Sequence, residues 1–211
     1  MTLIKSISGI RGTIGNLPNS NLTPLDIVRY TSAYAMWLKG KADGRLTVVT
    51  GRDARISGPM VHSLVNHTLV GMGIDVIDLG LSTTPTVAIS VPMENADGGI
   101  IITASHNPKK WNALKLLNEA GEFIDSKAGS KIIGLAETEK FSYAEIDNLG
   151  TISENSNYLD KHVNATVSLK YVNKIDIKKA KFKVVVDGVN SSGGIIIPRL
   201  LEALDVEVVK I

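Results

Sequence analysis

Between positions 105 and 115 the chain carries Ser105, His106, Lys109, Lys110 and Lys115. A hydroxyl can bear a transferable group, an imidazole can move protons near neutral pH, and ammonium groups neutralise anionic oxygens. Serine beside histidine also suits acyl transfer, but no G-x-S-x-G elbow surrounds Ser105 and no acid partner for His106 is evident from spacing. Alone, Ser-His-Asn-Pro reads as well as a capped turn, with Ser and Asn satisfying local backbone groups. The three lysines shift the balance toward phosphate chemistry.

An element must hold that serine in place. Gly99 to Thr103 form an apolar, β-branched run typical of a strand covered on both faces. Ala104 to Pro108 then supply small, turn-forming and φ-fixing residues. Ser105 is therefore expected just beyond the carboxyl end of a strand, where open α/β sheets bind ligands.

Three segments in order carry a family resemblance. TASHNP at 103–108, followed by Trp111, Asn112 and Lys115, resembles the phosphoserine loop of the α-D-phosphohexomutases, the superfamily of phosphoglucomutase, phosphomannomutase and phosphoglucosamine mutase. SGIRG at 8–12 resembles that family's amino-terminal active-site loop. GRDAR-SG at 51–58 resembles its second signature, with Ile56 in the variable place. Ala113 stands where the family usually has glycine.

The resemblance implies a phosphoryl shuttle. Phosphorylated Ser105 would give its phosphate to a hexose 1- or 6-phosphate, the 1,6-bisphosphate would reorient, and Ser105 would take back the other phosphate. It implies a phosphate-facing Arg11, proton management by His106 and a general acid or base at Lys115. Asn107 and Asn112 join as substrate-binding or supporting residues. Arg52, Asp53 and Arg55 are either phosphate contacts or an ion-pair network bracing the loops, and are kept as support. Lys109, Lys110 and Trp111 are either part of the site or only its outer rim. Mg²⁺ would be held by a phosphoserine oxygen and by aspartates this sequence does not contain, and a glucose 1,6-bisphosphate-type activator is expected. The D-G-D-x-D-R metal loop, the sugar-recognition loop and the carboxyl-terminal phosphate-binding loop do not occur in this sequence. The chain thus reads as the amino-terminal part of such a mutase, inactive alone, and the preferred sugar is left open.

Composition fits this. Among 211 residues 44% are hydrophobic and 21% charged, enough for a sizeable core, and there is no cysteine for disulfides or thiolate metal sites. A net charge of +2 from 23 basic and 21 acidic residues is too balanced for a nucleic-acid partner. No apolar run reaches the roughly 20 residues that span a bilayer, and the amino terminus lacks a signal-peptide core, so no membrane partner and a cytoplasmic location are expected.

Along the chain, helix and strand signals alternate. Thr23–Pro24 to Gly40 predicts a helix, Leu46 to Thr50 a strand, and Ser57 and Pro59 a helix start. Asp75 to Leu79 predicts a strand, and Thr84–Pro85 to about Pro92 a helix. Leu114 to Leu117 and Phe123 to Ile124 predict a hairpin, and Ser126 to Lys140 a helix. His62 and His67, at i and i+5, are expected in packing or at the surface rather than on a metal. The polar stretch 142–157 predicts a linker. Beyond it come a helix from Tyr158 to Leu169, a strand Lys183 to Val186, a helix Ser192 to Leu204 and a strand Val206 to Ile211.

The expected fold class is α/β. Residues 1–141 would form a three-layer α/β/α phosphoglucomutase-type domain with a mixed sheet, and residues 158–211 an incomplete second α/β domain. The unprotected apolar edge at 206–211 predicts self-association through the carboxyl-terminal segment. Two other functions fit the same residues: a non-catalytic sugar-phosphate-binding module, and an unrelated serine phosphatase or hydrolase on a similar sheet.

Overall fold

A computed structural model describes residues 1–6, 9–41 and 44–211. Its elements run β1 (Ile4–Ser6), β2 (Gly9–Thr13), α1 (Pro24–Lys39), β3 (Leu46–Arg52), α2 (Gly58–Gly71), β4 (Ile74–Leu81), α3 (Thr84–Met93), β5 (Gly98–Ile102), β6 (Trp111–Leu117) and α4 (Ser126–Thr138). After a 3-10 turn at Ile146–Asn148 come β7 (Ile152–Glu154), α5 (Tyr158–Val167), α6 (Lys174–Ala180), β8 (Lys183–Val186), α7 (Gly193–Ala203) and β9 (Glu207–Lys210).

The first seven strands form one mixed sheet in the order β1-β2-β6-β5-β3-β4-β7. β5, β3, β4 and β7 run parallel, while β1/β2, β2/β6 and β6/β5 are antiparallel. The β5 run Ile100-Ile101-Ile102 divides two cores, because alternate strand residues face opposite sides. Ile100 and Ile102 join Val48, Leu114 and Leu116 under the Tyr30, Val65 and Ile132 of α1, α2 and α4. Ile101 joins Val49 and Leu117 under Val87 and Val91 of α3. This is the expected α/β/α layering with helices on both faces.

Local chemistry sets the helix starts. Thr23 and Asp26 close a capping box, with Pro24 in the first turn. Thr83 caps α3 and Asp125 caps α4. In α3 the helix runs one residue past Pro92. α4 ends at Thr138, two residues short of the expected Lys140, where Glu139 turns left-handed at φ 49°.

Several expectations are corrected. The GIRG segment is a strand, β2, rather than a loop, and Ser8 lies outside the described residues. Two glycines in five residues hide β2 from a propensity reading. They are there because β2 runs against a neighbour: a Cβ at Gly9, where φ is +118°, would sit 2.0 Å from the Leu114 carbonyl oxygen. The 114–124 hairpin reduces to a single Leu117–Phe123 bridge, since β6 is claimed on both edges by β2 and β5. The stretch 142–157 contributes β7, which extends the sheet beside β4. The helix α6 has no counterpart among the sequence expectations.

Beyond β7, α5 touches both parts of the molecule. Tyr158 enters the α3-side core, His162 Nδ1 lies 2.9 Å from Thr86 Oγ1, and Leu159 and Val163 pack on Ile196 of α7. β8 and β9 form a separate two-stranded parallel sheet beside α7. Among the described residues no helix is long and apolar enough to cross a membrane.

Candidate active site

Ser105 lies three residues past β5, exposed, with φ +53°. That left-handed backbone is uncommon for a residue with a side chain and is held by its surroundings. Thr103 Oγ1 accepts the Ser105 amide at 3.0 Å and donates to Asp53 Oδ2 at 2.6 Å. Arg55 Nη2 donates to the Ser105 carbonyl. The loop is closed from within by the Asn107 amide and side chain, both donating to the Ala104 carbonyl, at 3.0 and 2.9 Å.

Ser105 opens into a cavity of about 230 Å³, lined on one side by Thr103 to Asn107 and on the other by Arg11, Lys115 and Phe123. The sheet order explains the convergence. β2 pairs with β6 so that Arg11 stands opposite Ala113, and β6 pairs with β5 so that Lys115 stands opposite Ile101. Arg11, two strands away on β2, and Lys115, on the adjacent antiparallel β6, therefore line the same cavity as the loop that follows β5. Arg11 is exposed, and Lys115 is half-buried with its ammonium 5.6 Å from the Phe123 ring centre. Ala113 keeps regular strand pairing and needs no left-handed backbone, so glycine is not required there.

Of the sequence-expected site residues, Arg11, Ser105, His106, Asn107 and Lys115 line this cavity. The others do not. Asp53 and Arg55 lie behind the loop as an ion pair at 3.1 Å, with side chains only 16% and 10% exposed. Asn112 is wholly buried, donating to Ser57 Oγ at 2.9 Å and accepting the Ala113 amide. It ties β6 to the start of α2. Arg52 lines a different cavity, of about 270 Å³, with His62, Asp78 and Glu154. There His62 Nε2 is 3.2 Å from Asp78 Oδ1 and 3.1 Å from Thr50 Oγ1, and burial holds its imidazole below the usual value against the pull of Asp78. His67 is exposed. Lys109, Lys110 and Trp111 do not line the Ser105 cavity.

Sequence reasoning missed Thr103 and Phe123 as site residues. Thr103 was visible as the first letter of TASHNP, but its hydroxyl's task depends on Asp53, fifty positions away. A larger cavity, about 300 Å³, lies between Ala54, Leu81 and the Gly188–Ser191 loop, where among the described residues Lys210 is the one cation in the lining. The Ser105 cavity concentrates the chemistry.

The described residues do not make a metal site. Among the described residues no group of three or more histidines and carboxylates is placed to hold an ion, and Asp53 Oδ2 is already engaged by Thr103 and Arg55. At most a phosphorylated Ser105 would offer one oxygen to an ion.

The layered sheet, with helices on both faces and an exposed serine just beyond its central strand, defines an α/β/α domain. Residues 3–143 match the family description "Phosphoglucomutase/phosphomannomutase, alpha/beta/alpha domain I". A phosphoglucomutase/phosphomannomutase of Thermococcus kodakarensis is 33% identical over 206 residues, covering 96% of this chain and 43% of that protein. A phosphoglucosamine/phosphogalactosamine mutase of Sulfurisphaera tokodaii is 32% identical, covering 93% of this chain and 41% of that protein. A crystal structure from Thermus thermophilus, named as a phosphomannomutase, superposes with a TM-score of 0.81 at 23% identity, over all of this chain and 46% of that one. The chain belongs to the phosphoglucomutase/phosphomannomutase family, and it spans less than half the length of the relatives it matches.

Proposed function

We propose that this chain is the amino-terminal part of a phosphohexomutase and that Ser105 carries the phosphate that is exchanged. The observation that carries the reading is an exposed serine, held left-handed at a strand's end, facing a cavity that Arg11, His106 and Lys115 share. In the forward transfer a free sugar hydroxyl attacks phosphorylated Ser105. The sugar oxygen–phosphorus bond forms, the Oγ–phosphorus bond breaks, the hydroxyl proton passes to the His106 imidazole, and the departing Ser105 Oγ takes a proton from the Lys115 ammonium. Return of the other phosphate to Ser105 reverses these roles and completes a 1,6 exchange.

Phosphoryl transfer needs positioning and charge neutralisation more than covalent invention. Arg11 and Lys115 are placed to neutralise the equatorial oxygens, and the rigid Ser105 backbone fixes the line of attack. The same reading implies a hexose or hexosamine phosphate as substrate, a sugar bisphosphate as phosphate source and a cytoplasmic location.

The test uses the product of the complete reading frame that contains this sequence. Conversion of hexose 1-phosphate to 6-phosphate should vanish in Ser105→Ala, and full activity there refutes the proposal. Sugar-phosphate binding without any turnover would instead favour a binding module.

A further inference from the structure

The geometry points to Arg55 and Thr103 as positioning residues that clamp the backbone of Ser105 from both sides, and excludes Arg55 as a phosphate ligand. This rests on the reading of Ser105 as phosphate carrier.

A guanidinium has five N–H donors. In Arg55 five bonds are made: Nε to Asp53 Oδ2 at 3.1 Å, Nη1 to the carbonyls of Pro108 and Trp111 at 3.1 Å each, and Nη2 to the carbonyls of Ser105 and of Asn107, the latter at 2.9 Å. No donor is left for a phosphate. Its charge is matched by Asp53, which also receives the Thr103 hydroxyl. Thr103 in turn accepts the Ser105 amide.

Both backbone groups of Ser105 are thus tied to one carboxylate, the amide through Thr103 and the carbonyl through Arg55. The Asp53 amide donates to the Ile102 carbonyl at 3.1 Å, so the clamp is anchored on β5 itself. A left-handed serine would otherwise relax, and the clamp sets where Oγ points. Lysine cannot substitute, having three donors around a single nitrogen rather than a planar fork.

Two measurements on Arg55→Lys, Thr103→Val and Thr103→Ser test this. In the 211-residue chain, hydrogen exchange of the Ser105 amide should quicken about tenfold or more in Arg55→Lys and Thr103→Val, and less in Thr103→Ser, while the Val48 amide in the core keeps its protection. In the complete protein kcat should fall about tenfold or more in the first two variants with KM nearly unchanged, as expected for misaligned transfer. A rise in KM with kcat intact would make Arg55 a phosphate ligand and overturn the inference, as would unaltered Ser105 exchange. Should Arg55→Lys lose Val48 protection as well, the contrast between Thr103→Val and Thr103→Ser decides. If wild-type Ser105 never carries phosphate, the functional reading fails while the exchange data still judge the clamp.

Discussion

At the scale of single residues, the cavity asks for cations that reach Ser105 without depending on it for folding. Arg11 is exposed on β2, and Lys115 rests half-buried beside Phe123, so neither truncation opens the core. Arg11→Ala or Lys115→Ala should leave the thermal transition of the chain in place. Turnover of the complete protein should drop about a hundredfold, the scale of losing one transition-state donor. Unchanged steady-state kinetics would make both bystanders. Ser105, His106 and Lys115 were legible because they sit in one short segment whose apolar prefix announces a strand and whose Asn107 and Pro108 announce its end. Arg52 and Arg55 were not separable, since both lie within two residues of Asp53 in the sequence. Arg52 is the last residue of β3 and lines the Asp78 cavity, whereas Arg55, in the loop that follows, turns to the carbonyls of the Ser105 loop.

At the scale of elements, β5 is the axis on which the site depends, and its packing is tight. Gly98 has no room for a methyl group, because a Cβ there would lie 2.1 Å from the Tyr34 hydroxyl. That hydroxyl donates to the Leu117 carbonyl at 2.7 Å and to the Gly99 carbonyl at 3.3 Å, joining α1 to the β5–β6 pair. Tyr34→Phe should cost roughly 1–3 kcal/mol in urea unfolding, the cost of leaving buried acceptors without their donor. Burial drives the Tyr34 phenol far above its ordinary 10.0. A raised folded value means stability is full below about 10 and is lost as pH rises beyond it, a dependence Tyr34→Phe should remove. A variant as stable as wild type, with the same alkaline slope, would refute this.

The far edge of the sheet shows the opposite sign. Asp75 accepts Arg45 in a two-bond pair and also the Thr151 amide and hydroxyl, fastening β7 to β4. Chiefly through Arg45, its carboxyl is held far below its ordinary 3.8. Its stabilisation is therefore complete above about pH 4 and fades as pH falls below that. Asp75→Asn should be less stable than wild type at pH 7, and the gap should close on acidification. A gap that stays constant down to about pH 2 would contradict the assignment. β7 was unreadable in the sequence because three exposed residues, Ile152–Glu154, carry no burial pattern. β5 was readable because all five of its residues are buried.

At the scale of the whole molecule, two cores lie on either side of one seven-stranded sheet, and Tyr158 of α5 completes the second. The 211-residue chain should therefore fold cooperatively, yet convert no glucose 1-phosphate, because the described residues lining the Ser105 cavity offer Arg11 and Lys115 to one phosphate and no further Lys or Arg to the far phosphate of a bisphosphate. Measurable conversion by the purified chain would contradict this. The β8–β9 pair has an open edge on each side among the described residues, and Val185 and Phe182 are more than half exposed there. Open apolar edges pair. The chain should run as a dimer or larger species in light scattering, and a strictly monomeric solution would count against it. The layered architecture was legible from alternating helix and strand signals. The way β2 inserts between β1 and β6, bringing Arg11 to the site, was not, since strand order is set by pairing across about a hundred residues.

The most direct measurement of the central claim is phosphopeptide mapping of the complete protein after exposure to a hexose 1,6-bisphosphate. One phosphate, on the peptide containing Ser105 and lost in Ser105→Ala, is the predicted result. A phosphate found on another serine, with Ser105 unmodified while the enzyme turns over, would contradict it.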